Sequence, residues 1–243
     1  MTSRLPDPAD GSLVQPMVPR TAFGSGRVAA ARRRSVFINC PYDAEYRPRM
    51  DALIFVAVCC GFLPRSAMES GDVSIPRIDR IHSALRGSRY SVHDLARCQG
   101  EGPADLARFN MPLELGVAMG LGQAHDWVAL VPDQHPYARF VSDLAGFDLR
   151  RYDSSEAGLV MAVMPWLATR PDAIKTPTPA QVMDALTEFR SELGELRSAW
   201  LGEPPWVDVV QAAIGVAQYR WDEWTLGPSV SVRAAASGRL ESA

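Results

Sequence analysis

The chain has 243 residues, 47% of them hydrophobic and 22% charged, with a net charge of −3. That length fits one domain with extensions and a sizeable core. The small net charge gives no global drive toward nucleic acid or anionic membrane, no apolar run of about 18 residues reads as a membrane span, and the first residues lack the charged-then-apolar pattern of a signal peptide. The four cysteines, Cys40, Cys59, Cys60 and Cys98, include no Cys-x-x-Cys spacing. They read as free thiols of a reducing cytoplasm, not as a zinc site.

Residues 1–33 are rich in Pro, Gly, Ser, Ala and Arg, without a hydrophobic period, and read as a disordered leader. The apolar run Ser35-Val36-Phe37-Ile38-Asn39 then predicts a buried first strand, ended by the turn Cys40-Pro41-Tyr42-Asp43. Met50, Leu53, Ile54, Ala57 and Val58 recur at helical spacing, and Gly61 closes that helix. A short second strand is expected over 62–65, a polar loop over 68–76, and a second helix with Ile78, Ile81, His82 and Leu85 on one face.

Residues 89–94 predict a third strand ending in His93-Asp94, whose side chains alternate to opposite faces. A Gly-rich polar loop, 97–109, leads to a helix that Glu114 opens and that Leu113, Val117, Ala118 and Leu121 carry. Strands are expected over 127–131 and 147–149, and a helix over 156–167. The alternation predicts an α/β domain over 34–168, a flavodoxin-like parallel sheet with helices on both faces. Right-handed crossovers bring the loops after the strands to one edge.

Prolines at 171, 177 and 179 mark a linker over 169–179. A helical hairpin over 180–227 and a flexible tail over 228–243 follow. The hairpin's apolar stripes and four Trp residues exceed what two helices can bury alone. It is expected to pack on the α/β domain, or to contact a second copy or a protein partner.

A carboxylate at a helix start, beside the carboxyl end of a parallel strand, sits where open α/β sheets bind ligands. Glu114 is therefore the leading candidate catalytic residue, able to attack a sugar carbon or stabilise positive charge on it. Asp94 is the second. Asn39, Tyr42 and Asp43 in the first loop, with Arg77, Arg108 and Asn110 near the helix starts, complete a candidate substrate-binding set: an aromatic for a base, guanidinium groups for phosphate. Each has a plainer reading, as a helix-dipole partner, a turn former or a solvated Arg. No metal or other cofactor is required.

The strand Val36-Phe37-Ile38-Asn39, Asp94 at a strand end, and Glu114-Leu115-Gly116-Val117-Ala118 resemble the nucleoside 2-deoxyribosyltransferase-like group and, more distantly, Toll/interleukin-receptor (TIR) domains. The resemblance covers residues 35–132. It implies an N-glycosidic bond hydrolase or transferase acting on a nucleoside, a nucleotide or NAD, with Glu114 as nucleophile and Asp94 as a substrate-positioning carboxylate. The first loop departs from that group by having Asn39-Cys40-Pro41-Tyr42-Asp43 in place of a Gly-rich turn. Phe37-Ile38-Asn39-Cys40-Pro41, with Arg77, His93-Asp94 and Phe109-Asn110-Met111-Pro112, also resembles bacterial proteins of which some are encoded near defence systems. A nucleotide-sensing module and a TIR-like assembly scaffold are the competing expectations.

Overall fold

The computed structural model describes residues 30–69, 74–98, 108–122, 125–139, 141–221 and 224. The expected 1–33 leader, except 30–33, the 228–243 tail and most of the Gly-rich loop lie outside the described residues.

The elements follow in the order β1 (Ser35–Asn39), α1 (Arg47–Cys59), β2 (Leu63–Arg65), α2 (Arg77–Arg86), β3 (Tyr90–Asp94), α3 (Asn110–Gly120), β4 (Asp126–Pro132), β5 (Arg150–Tyr152), α4 (Glu156–Ala168), α5 (Pro179–Trp200) and α6 (Trp206–Arg220). Two short 3-10 turns separate β4 from β5. The five strands form one parallel sheet in the order β2-β1-β3-β4-β5. This is an α/β flavodoxin-like architecture. β1 and β3 lie at the centre, where the strand order reverses, and Asn39 is in register with His93.

Strand alternation divides the core. Val36, Ile38, Tyr90, Val92, Val128 and Leu130 face α1 and α4, in one large cluster that continues into α5 and α6. Phe37 packs against α2 and α3, and Ala129 and Val131 pack against α3. Along β3 the sequence therefore sends Ser91 and His93 toward α3, and Asp94 to the opposite face.

Local chemistry fixes the helix ends. Pro48 starts α1, and the Asp43 carboxylate accepts the Tyr46 N–H at 2.9 Å just before it. Gly61 follows α1 with φ of 83°, and an added Cβ would lie 2.7 Å from the Ile174 side chain. Both the conformation and the close approach require glycine. Ser155 caps α4 by accepting the Gly158 N–H, and Thr178 with Gln181 makes a reciprocal capping box on α5.

The hairpin is seated on the α/β core. The Trp206 indole donates to the Pro64 carbonyl at 3.1 Å and the Trp224 indole to the Val58 carbonyl at 2.9 Å. Phe189 of α5 stacks on Phe55 of α1, with ring centres 5.2 Å apart. Between α4 and α5 the chain is also docked: Asp172 accepts the Tyr90 hydroxyl, and Ile174 N–H donates to the Cys60 carbonyl.

The fifth strand differs from expectation. Phe147 and Leu149 lie in the turn before it and pack that turn down, Phe147 edge-on to Trp127 at 5.2 Å. Pairing with β4 begins only at Arg150. Their apolar character serves loop packing, which period alone does not distinguish from a strand.

Candidate active site

β1 delivers Asn39 to the carboxyl edge of the sheet, and the turn after it carries Cys40, Tyr42 and Asp43. Across the edge stand the first turn of α2, with Arg77, and the start of α3, with Asn110 in its first turn and Glu114 in its second.

α3 begins at Asn110, so Glu114 lies in its second turn and does not open the helix. The buried residues of α3 are Met111, Glu114, Leu115 and Ala118, spaced as a core stripe, while Leu113 faces outward. A carboxylate thus takes a position where packing calls for an apolar side chain. The displacement also changes its electrostatics. Helix-dipole stabilisation fades within the first turn, so burial dominates and pushes the Glu114 carboxyl up to about 7, opposed by the Arg77 charge and by Asn110. The Asn110 amide is near enough to matter but falls short of a hydrogen bond. Both Glu114 oxygens are enclosed and have no partner among the described residues. A buried polar group left unpaired costs roughly 1–3 kcal/mol.

Tyr42 shares this neighbourhood. Its ring lies 5.7 Å from the Arg77 guanidinium. Its hydroxyl is 3.0 Å from Ser66 Oγ, and burial with nearby negative charge raises its pKa. Asp43 and Arg108 are committed to each other at 3.1 Å, and Arg97 also reaches Asp43 at 3.3 Å. Against burial, the Tyr46 N–H and then these two charges lower the Asp43 pKa, and together they brace the first loop. Arg108 therefore reaches a ligand phosphate only by sharing itself with Asp43.

Asp94 lies on the other face of the sheet and is fully buried. Its Oδ2 accepts the hydroxyls of Tyr46 and, at 2.7 Å, Tyr152; its Oδ1 accepts the Ala96 N–H at 2.8 Å. Burial raises its pKa to about 6 against these hydrogen bonds. Cys40 lies within the fields of both Asp94 and Glu114, and burial with those charges holds its thiol protonated. That is the opposite of an activated nucleophile.

A hydrogen-bond chain that sequence reasoning did not anticipate runs beneath the site. Asn39 Nδ2 lies 3.0 Å from the Met111 carbonyl and 3.0 Å from His93 Nδ1. His93 Nε2 lies 2.7 Å from Ser91 Oγ, which lies 2.8 Å from His125 Nε2, and His125 Nδ1 lies 3.1 Å from the Ser88 carbonyl. The carbonyl can only accept, so His125 donates from Nδ1 and accepts from Ser91, Ser91 accepts from His93 Nε2, and His93 Nδ1 accepts from Asn39. Burial lowers the His93 pKa to about 3 and keeps the ring neutral, as this polarity requires. With both amide hydrogens of Asn39 spent, its buried Oδ1 is an acceptor without a donor. Polar residues at 91 and 93, two apart on one face of a buried strand, were the available signal.

The structure thus groups Asn39, Tyr42, Arg77, Asn110 and Glu114, sets Asp43 and Arg108 as a brace at the rim, and places Asp94 behind the sheet. Among the described residues no group of three or more His, Cys, Asp or Glu could hold a metal ion. A separate shallow cleft of about 360 Å³ lies between Asp133 and Arg139, beside Arg151, after β4. No helix among the described residues is long and apolar enough to cross a membrane. No protein-family model and no curated protein matches this chain.

Proposed function

We propose that this protein breaks or transfers an N-glycosidic bond of a nucleoside, a nucleotide or NAD, with Glu114 as the group that meets the anomeric carbon. The observation that carries the reading is an enclosed, unpartnered carboxylate on a core stripe, at the carboxyl edge of a parallel sheet. Packing gains nothing from it, and such groups collect at functional sites.

In the nucleophilic route, a Glu114 oxygen bonds to the anomeric carbon as the carbon–nitrogen bond breaks, and the base leaves with the bond pair. Water then opens the ester, placing its oxygen on the sugar carbon, restoring the carboxylate and releasing a proton. Transfer differs only in that a second base replaces water. Tyr42 lines the approach, and Arg77, beside its ring, offers a guanidinium to a phosphate. Asp94 acts from behind the sheet as a positioning residue, through the Tyr46 hydroxyl that it holds. Four free, buried thiols suit a reducing cytoplasm.

Incubation with NAD and a panel of ribo- and deoxynucleotides, followed by detection of free base, tests the reading. At least one substrate should release base, and Glu114→Gln should lower that rate by roughly 100-fold or more, the scale of losing a principal catalytic group. Equal rates would remove Glu114 from the mechanism. The saturated hydrogen bonding of Asp94 favours a second reading, a module of bacterial defence signalling that binds a nucleotide without turnover. It is distinguished by tight binding with no base released.

A further inference from the structure

The proposal concerns the substrate's sugar and rests on the glycosidic reading of Glu114. Three buried acceptor atoms at the site have no donor: Asn39 Oδ1 and both Glu114 oxygens. Asn39 and Glu114 are each 1% exposed. They belong to one neighbourhood, because Asn39 donates to the carbonyl of Met111, which precedes Glu114 by one turn on the same buried stripe. The Asn39 amide cannot turn over to offer a donor instead. Its orientation is dictated by the chain through His93, Ser91 and His125, which ends on a carbonyl that can only accept. Arg77 and Asn110 already act on Glu114, so Asn39 Oδ1 is the fixed acceptor that calls for a donor from the ligand.

We infer that Asn39 is a specificity-determining residue and that the site takes a ribosyl group, its 2′-hydroxyl donating to Asn39 Oδ1 while Glu114 addresses the neighbouring anomeric carbon. A 2′-deoxy sugar lacks that donor and leaves the amide oxygen buried and unpaired. Sites built to bind a hydroxyl reject the analogue without it far more strongly than sites built on shape. The acceptors are enclosed, so the sugar reaches them by displacing the side chains that cover them.

The test compares kcat/KM for free-base release from matched pairs, adenosine with 2′-deoxyadenosine, their monophosphates, and NAD with its 2′-deoxy form, on the unaltered protein. Ribosyl substrates should exceed their deoxy partners by at least about 100-fold. Asn39→Ala should collapse that ratio, lowering the ribosyl rate far more than the deoxy rate. Base release that is equal for both sugars, or a ratio that survives Asn39→Ala, overturns the inference and leaves the role of Glu114 standing. If no substrate yields base, the glycosidic reading fails separately, and calorimetry of the same pairs with the Glu114→Gln protein decides the sugar. Tighter binding of the ribosyl member sustains the inference, and equal binding or none overturns it.

Discussion

Glu114 holds its proton more tightly in the folded protein than in the unfolded chain, because its carboxyl moves from about 4.5 to about 7 on burial. The folded state is therefore favoured while the group is protonated. That stability is fully present below about pH 4.5 and is lost as pH rises through about 7. Glu114→Gln removes the charge, so the variant should be more stable than the parent at pH 8, by up to about 3 kcal/mol, with the gap closing near pH 4. Paired thermal melts across this range check it; a gap independent of pH would show that Glu114 is not buried in charged form. Asp94, raised to about 6, acts in the same direction but is common to both proteins and cancels in the difference. The catalytic consequence has the opposite sense. A nucleophile must be ionised, so base release should rise with pH through about 7 and level off above it, as a pH–rate profile would show.

At this scale the sequence was informative in part. Glu114 stood out because a polar loop led into an apolar helix, and the opposite facing of His93 and Asp94 followed from strand alternation alone. The pairing of Asp43 with Arg97 and Arg108 did not follow. Those partners lie 54 and 65 positions away, and nothing local distinguishes a paired Arg from a solvated one.

Among the elements, β3 and β5 are tied by Asp94. One carboxylate collects the Tyr46 hydroxyl before α1, the Tyr152 hydroxyl at the end of β5, and the Ala96 N–H after its own strand. An amide leaves at least one donor unpaired. With its oxygen toward the tyrosines, its NH2 faces the Ala96 N–H; with its oxygen toward Ala96, its NH2 donates to the tyrosine oxygens, whose own hydrogens lose their acceptor. Asp94→Asn should therefore lower stability by about 1–3 kcal/mol below about pH 6, and the loss should shrink at higher pH as removal of the buried charge offsets it. Denaturant titration would read this, and an unchanged midpoint would argue against the enclosed carboxylate. Strands β1 to β4 and the helices were legible from periodicity. β5 was misplaced by three residues because Phe147 and Leu149 mimic a strand while packing a turn. The start of α3 was set four residues late, because Glu114, polar in the sequence, occupies a core position and breaks the apolar period that marks a helix face.

For the molecule as a whole, α1 is the pivot. Ten of its thirteen residues are buried, because the sheet covers one side and α4, α5 and α6 cover the rest. Deleting residues 178–243 should strip that cover, exposing apolar surface and lowering solubility or changing the mass seen by light scattering. A truncated protein that remained soluble, unchanged in mass and equally active would show that the hairpin is an appendage. The same arrangement sets a problem of timing. On a ribosome, α1 is complete at Cys59, but the helices that shelter it begin only at Glu156, Pro179 and Trp206. Through most of its synthesis the growing chain carries a helix that is apolar on nearly every side, with its last neighbours still untranslated. Early in synthesis the nascent protein is thus a natural client for chaperones, and its yield should depend on how fast the ribosome reaches the final helices.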